Sequence, residues 1–148
     1  FAVRLVGDEE LAEELLQESL YRVARRWKQC SGPEQFRGWL YQIVLNVTRD
    51  HSRQQRMPTA DSEPVDRRRT SPSTRLETQE VQQQIDHEVR RLPPRQREVF
   101  VLLVTEGFQA DEVGRMLEMN VGNVYSTLHQ AKARLRERLL PLLQERDS

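Results

Sequence analysis

The sequence predicts an all-α protein: two small helical domains joined by a flexible linker, the second containing a helix-turn-helix. Three observations predict it. Apolar residues recur at spacings of three and four on both sides of the linker, as the buried stripe of a helix requires. Glycine is scarce, at 6 of 148 residues, which suits long helices with modest cores. Between the two apolar regions lies Met57–Arg75, with three of the seven prolines, several Ser and Thr and no aromatic. Such a stretch buries little apolar surface and is expected to be extended or disordered. The expected division is a first domain at 1–56, a linker at 57–76 and a second domain at 77–148.

Phe1–Val6 reads as a helix end, closed by Gly7 at a left-handed position. Asp8 caps the next helix, and Glu9 and Glu10 sit in its first turn, where acids complement the helix dipole. Leu11, Leu15, Leu16, Leu20, Val23 and Trp27 are its expected apolar stripe. The other face carries Glu13, Glu14, Gln17 and Glu18. Asp8 to Leu20 holds six acids and no base. That run reads either as a solvated face or as a docking surface for a basic partner. Ser31, Gly32 and Pro33 mark Gln29–Gln35 as a loop. Phe36–Arg56 returns to helix, with Phe36, Leu40, Ile43, Val44 and Val47 in register and Trp39 and Tyr41 beside them. Its basic tail is Arg49, Arg53 and Arg56. Rings that stack on unpaired bases, followed by guanidiniums that hold phosphates, suit single-stranded DNA. The same aromatics also read as ordinary core residues. Arg67, Arg68 and Arg69 of the linker either touch phosphates or are solvated.

In the second domain, Val81, Ile85, Val89 and Leu92 form a stripe that Pro93 and Pro94 break, and Pro94 is suited to open the next helix. Val99, Phe100, Leu102 and Leu103 supply the buried side of that helix, and Gly107 and Phe108 turn the chain. Gln109–Lys132 then reads as helix, tight turn, helix. Val113, Met116 and Leu117 share one face of the first helix. Val124, Leu128 and Ala131, with Val121 at the start, share one face of the second. Gly114 is small where crossing helices approach, and Asn120 is placed to cap the second helix. Such a pair either only packs or lays its second helix in a DNA major groove. The last helix continues through Leu135, Leu139 and Leu140, with Lys132, Arg134, Arg136 and Arg138 around it, and Pro141 is expected to kink or end it.

Composition narrows the function. Lys and Arg balance Asp and Glu at 23 each, so an electrostatic case for nucleic acid rests on local patches. Cys30 is the only cysteine, which excludes an internal disulfide and fits a reducing compartment. No apolar run approaches the ~20 residues of a membrane span, so no membrane insertion is expected. No signal peptide is evident, and the opening at Phe1 inside a helix suggests that the parent protein begins earlier. His51, His87, His129 and Cys30 lack metal-ligand spacing. No phosphate loop or nucleophile motif occurs, and Asp111 and Glu112 are explained by the helix dipole. The expectation is no enzyme, no metal and no cofactor.

Two segments carry a resemblance. LAEELLQESLYRVARRW followed by FRGWLYQIVLNVTRDHSRQQR is similar to the core-binding and minus-ten-reading domain of bacterial sigma factors. LPPRQREVFVLLVTEGFQADEVGRMLEMNVGNVYSTLHQAKARLRERL resembles their minus-thirty-five-reading domain. This order, with a short linker and no middle domain, resembles the extracytoplasmic-function group. The resemblance implies a cytoplasmic bacterial protein that directs promoter-specific initiation without chemistry of its own. Its implied partners are core RNA polymerase (the β′ clamp helices and the β subunit), promoter DNA and an anti-sigma protein. It assigns Glu13, Glu14, Gln17 and Glu18 to polymerase docking. Trp39, Asn46, Arg49 and Arg53, with the Gln29–Gln35 loop, would handle melted minus-ten DNA. The minus-thirty-five set would be Asn123, Tyr125, Ser126, Thr127, His129, Gln130 and Lys132.

Departures bear on that last assignment. Tyr125, Thr127 and Gln130 stand where the family usually has basic residues, and Leu92–Leu140 holds seven bases against six acids. Fewer phosphate contacts weaken binding and flatten its salt dependence. Glu118 replaces the family's common turn glycine. Weak or unusual minus-thirty-five recognition is expected. A sigma mimic that binds an anti-sigma protein instead of DNA, and a helix-turn-helix regulator that works without polymerase, remain alternatives.

Overall fold

The structure, a computed structural model, describes residues 1–55 and 76–146, with the side chains of 76–78 and 146 excepted. Every regular element among the described residues is helical: α1 (Ala2–Val6), α2 (Glu9–Arg26), a 3-10 turn (Trp27–Gln29), α3 (Pro33–Gln55), α4 (Leu76–Arg90), α5 (Pro94–Phe100), a π-helical segment (Val101–Thr105), α6 (Ala110–Leu117) and α7 (Val121–Arg146). The expectations for Arg56, Arg67, Arg68, Arg69 and the linker fall outside the described residues. The chain groups into two compact units. One is α2 with α3; the other is α4 to α7, joined by Val3–Gly7.

Gly7, which groups with the α4 to α7 unit, has φ 75°, and its N–H closes α1 on the Val3 carbonyl at 2.7 Å. The Asp8 carboxylate accepts from the N–H groups of Glu10 and Leu11, as its place before α2 predicts. The buried line of α2 is Ala12, Leu15 and Ser19. The expected stripe is therefore corrected: Leu16, Leu20 and Trp27 are 45%, 52% and 62% exposed. Within its unit α2 packs against α3, and one neighbouring helix covers one line of residues. Ser19 tolerates complete burial because its hydroxyl donates to the Leu15 carbonyl at 2.6 Å. The helix after the loop begins earlier than expected, at Pro33, whose missing N–H costs nothing in a first turn. Only Cys30–Gly32 then separates the 3-10 turn from α3. Ile43, Val44, Leu45 and Val47 are its buried residues, while Phe36, expected in register with them, is 42% exposed.

In the second unit, Pro94 opens α5 as expected. The apolar run after it is not a plain α-turn. The N–H of Glu106 reaches back five residues to the Val101 carbonyl at 2.9 Å, and Val99 just before this wider turn and Val101 and Leu102 within it are all 0% exposed. Gly107, at φ 74°, releases the chain into α6. Val113, Met116 and Leu117 of α6 and Val124, Ala131 and Leu135 of α7 are buried, whereas Val121 is 42% exposed. The two helices meet at Gly114, where an added Cβ would lie 2.6 Å from the Met119 carbonyl oxygen. Glu118 supplies the turn at φ 55°, a left-handed position that costs a side chain free energy. Asn120 caps α7: its side-chain oxygen accepts from the Asn123 N–H at 2.7 Å. Pro141 does not end α7, which runs on to Arg146. Pro141 supplies no N–H to the Glu137 carbonyl four residues back, and both residues are exposed, so solvent can reach the break.

Candidate functional site

The sequence-selected side chains lie on three surfaces. On α2, Glu13, Glu14, Gln17 and Glu18 are all exposed, at spacings of one, three and one. The uncovered Leu16 and Leu20 lie one turn from Glu13 and Gln17, so the leucines border the acids on the exposed side of the helix. Glu18 is not a free carboxylate: it accepts from Arg22 Nε at 2.9 Å, and Arg22 Nη1 donates to Asp50 of α3 at 3.1 Å. The hydrogen bond to Glu18 and then that to Asp50 hold the Arg22 guanidinium above its ordinary value. Past Arg22 the charge changes sign. Arg25 donates to the Tyr21 hydroxyl at 2.9 Å and lies 5.6 Å from that ring, and Arg26 and Lys28 follow, exposed.

On α3, Trp39, Asn46, Arg49 and Arg53 are spaced by seven, three and four residues, which places them along one side of the helix. Trp39 is half-buried, its ring 6.0 Å from that of Phe36 at 46°; Asn46 and Arg53 are exposed and Arg49 half-buried. The row thus runs from aromatic rings near Gly32 to guanidiniums near Gln55. Tyr41, two residues after Trp39 and so on another side of the helix, is half-buried with Arg37 at 5.5 Å from its ring. The Cys30 thiol, half-buried before α3, donates to the Gly32 carbonyl at 3.4 Å.

On α7, burial of Val124, Ala131 and Leu135 leaves two outward rows. Val121, Tyr125, His129 and Lys132 form one, at spacings of four, four and three. Asn123, Thr127 and Gln130 form the other, at four and three, with Ser126 between the rows. All are exposed except Thr127, which is half-buried. The Ser126 hydroxyl donates to the Gly122 carbonyl at 3.0 Å, so its proton is committed and its oxygen is left with acceptor capacity. This surface is polar and aromatic at the start of the helix, and its cations lie at Lys132, Arg134 and Arg136. The Arg138 guanidinium is drawn back to Glu88 of α4 at 3.5 Å.

Two features behind α7 were not legible from the sequence. Gln96 of α5 donates through Nε2 to the Gln130 side-chain oxygen at 3.4 Å. Arg97 of α5 donates to the Leu5 carbonyl of α1, and burial lowers its pKa from the ordinary value. Among the described residues no three His, Cys, Asp or Glu side chains gather as a metal site, and no helix is long and apolar enough to cross a membrane.

Comparison with known proteins joins these surfaces. The family described as Sigma-70 region 2 matches residues 1–57, and Sigma-70, region 4 matches residues 82–135. The RNA polymerase sigma-E factor of Streptomyces coelicolor is 32% identical over 140 residues, covering 94% of this chain and 77% of the relative. The ECF RNA polymerase sigma factor SigE of Mycolicibacterium smegmatis is 30% identical over 93% of this chain and 55% of its own length. Among solved structures, the sigma factor RpoE from Bartonella quintana, determined with the anti-sigma factor NepR, matches at a TM-score of 0.74. It is 22% identical, over 93% of this chain and 86% of that one, a likeness of fold.

Proposed function

Because this chain belongs to the extracytoplasmic-function group of sigma-70 family transcription initiation factors, we propose that its three surfaces divide the work of a promoter-recognising sigma factor. The acidic and leucine-bearing face of α2, through Glu13, Glu14, Gln17 and Glu18, docks on core RNA polymerase at the β′ clamp helices. The α3 row takes the melted minus-ten strand: Trp39 offers a ring to an unpaired base, Asn46 a base-edge hydrogen bond, and Arg49 and Arg53 phosphate contacts. The outward rows of α7 read the minus-thirty-five duplex, with Asn123, Tyr125, Ser126, Thr127, His129 and Gln130 toward bases and Lys132 toward phosphate. Residues 1–56 serve the first two tasks, 57–76 tether, and 77–148 serve the third. The β subunit is the second polymerase contact. The protein works in the bacterial cytoplasm, has no catalytic step of its own, and is held in check by an anti-sigma protein.

The observation that carries this reading is the α2 face. Four sequence-selected polar residues are bordered by two uncovered leucines on the exposed side of the helix, and a partner of opposite charge can cover both. Charge reversal by Glu14→Lys with Glu18→Lys tests it. Capture of core polymerase should fall roughly tenfold or more, since like charges then meet at the interface, while the melting temperature stays near wild type because exposed charges contribute little to stability. Equal capture by wild type and variant would overturn the assignment. The absence of a base at Tyr125, Thr127 and Gln130 favours one competing reading, a sigma mimic. It predicts tight anti-sigma binding with no duplex binding.

A further inference from the structure

The Gln130 side chain reaches the recognition surface already oriented. Its oxygen accepts from Nε2 of Gln96 at 3.4 Å, so the end committed to the protein is its carbonyl. The NH2 group of the same amide, on an exposed residue, is the end left toward solvent. Gln96 itself cannot swing freely. It is 9% exposed, on α5 packed against α7, and its own Oε1 is buried with no hydrogen-bond partner among the described residues. Turning the Gln96 amide over would bury its NH2 in that partnerless slot instead. Orphaned N–H donors are rarer in protein interiors than under-satisfied carbonyl oxygens, so the observed orientation is favoured.

We propose that Gln96 is a positioning residue for promoter specificity: it makes Gln130 present donors, rather than its acceptor, to the duplex. The proposal rests on the reading of α7 as the minus-thirty-five helix and adds to it the polarity of one contact. Donors directed into the major groove match guanine, with acceptors at N7 and O6, or thymine, with its acceptor at O4. An outward carbonyl would match the amino groups of adenine or cytosine. Nothing in the order of residues along α7 carries this information. It comes from a side chain 34 positions earlier in the chain.

Substitution at Gln96 separates positioning from packing. A glutamate there at mildly alkaline pH has only acceptors, so Gln130 must turn its NH2 inward and offer its oxygen to the duplex. Holoenzyme reconstituted from core polymerase and the full chain would select from double-stranded DNA randomised across the upstream element, using wild type, Gln96→Glu, Gln96→Leu and Gln130→Ala. Wild type should prefer guanine or thymine at one position by about fivefold or more, the worth of a good base contact. Gln130→Ala should flatten that position alone. Gln96→Leu, which frees the amide to rotate, should weaken the preference there. Gln96→Glu should invert it toward adenine or cytosine, leaving the other positions as in wild type, which a general loss of packing would not do. If Gln130→Ala flattens a position while Gln96→Glu and Gln96→Leu leave it as in wild type, the positioning role is refuted and the α7 reading stands. If Gln130→Ala changes no position, both the positioning role and the assignment of Gln130 to DNA are refuted.

Discussion

Replacing Gly114 with alanine should destabilise the second unit, although alanine is the better helix former. In an exposed helix the exchange would stabilise by ~1 kcal/mol. At Gly114 the new Cβ would sit 2.6 Å from the Met119 carbonyl oxygen, where ordinary contact begins at 3.4 Å, and 3.8 Å from Val124 Cγ2. The obstruction is backbone, not a flexible tip. Met119 is held in place because its own N–H donates to the Gly114 carbonyl at 2.8 Å. Relief therefore requires the Met119 turn, and with it the start of α7, to move away from α6 by most of an ångström. That opens a contact among Val113, Met116, Leu117 and Val124, all at 6% exposure or less. Overpacking of this kind costs ~1–3 kcal/mol beyond the propensity gain, and part of the interhelical burial is lost with it. The expected net loss of ~1–3 kcal/mol lowers the melting temperature of the unit by about 5–15 °C. Thermal melting followed by far-UV circular dichroism checks this, with amide exchange at Met119 and Val124 locating the loss. A Gly114→Ala protein as stable as wild type, or more stable, would refute the close approach and with it the helix-turn-helix geometry.

Other substitutions have equally definite outcomes. Glu118→Gly should stabilise by about 0.5–1 kcal/mol in urea titration, because glycine accepts the left-handed turn at φ 55° that strains a side chain, less its own entropic cost. Asn120→Ala should destabilise by ~1 kcal/mol in the same titration, since the Asn123 N–H loses its cap. Lys132→Ala should weaken duplex binding uniformly across sequences and reduce the slope of log affinity against log salt by about 0.9, the signature of one phosphate contact. An unchanged slope would remove Lys132 from the phosphate set.

Helix boundaries were legible wherever one residue type does one local job. Gly7, Asp8, Pro94, Gly107 and Asn120 act through φ preference, a side-chain acceptor or a missing N–H, and each does so here. Rotation about a helix axis was less legible. Leu16, Leu20 and Trp27 of α2 are as apolar as Leu15, and hydrophobicity alone cannot say which line faces α3. Ser19 was invisible because a hydroxyl bonded to its own helix is apolar in effect. Leu45, 1% exposed, lies off the stripe of α3 and escaped the same logic. In VFVLLV after Glu98 every residue is apolar, so no period was readable, and the π turn there left no mark on the sequence. Pro141 was read by its clash with a helix, while the exposure that relieves the clash depends on the folded surface. The candidate surfaces on α2, α3 and α7 could be chosen from spacing and residue type. The hydrogen bond from Gln96 to Gln130 could not, because it joins two helices 34 residues apart.

The most direct test of the account is transcription from a promoter carrying both upstream and minus-ten elements, using core RNA polymerase with and without the full chain. Initiation is expected only when the chain is added, lost when either promoter element is scrambled and lost again with Glu14→Lys/Glu18→Lys. A chain that binds an anti-sigma protein tightly yet never supports initiation by core polymerase would contradict it, and would leave these helices the work of a mimic.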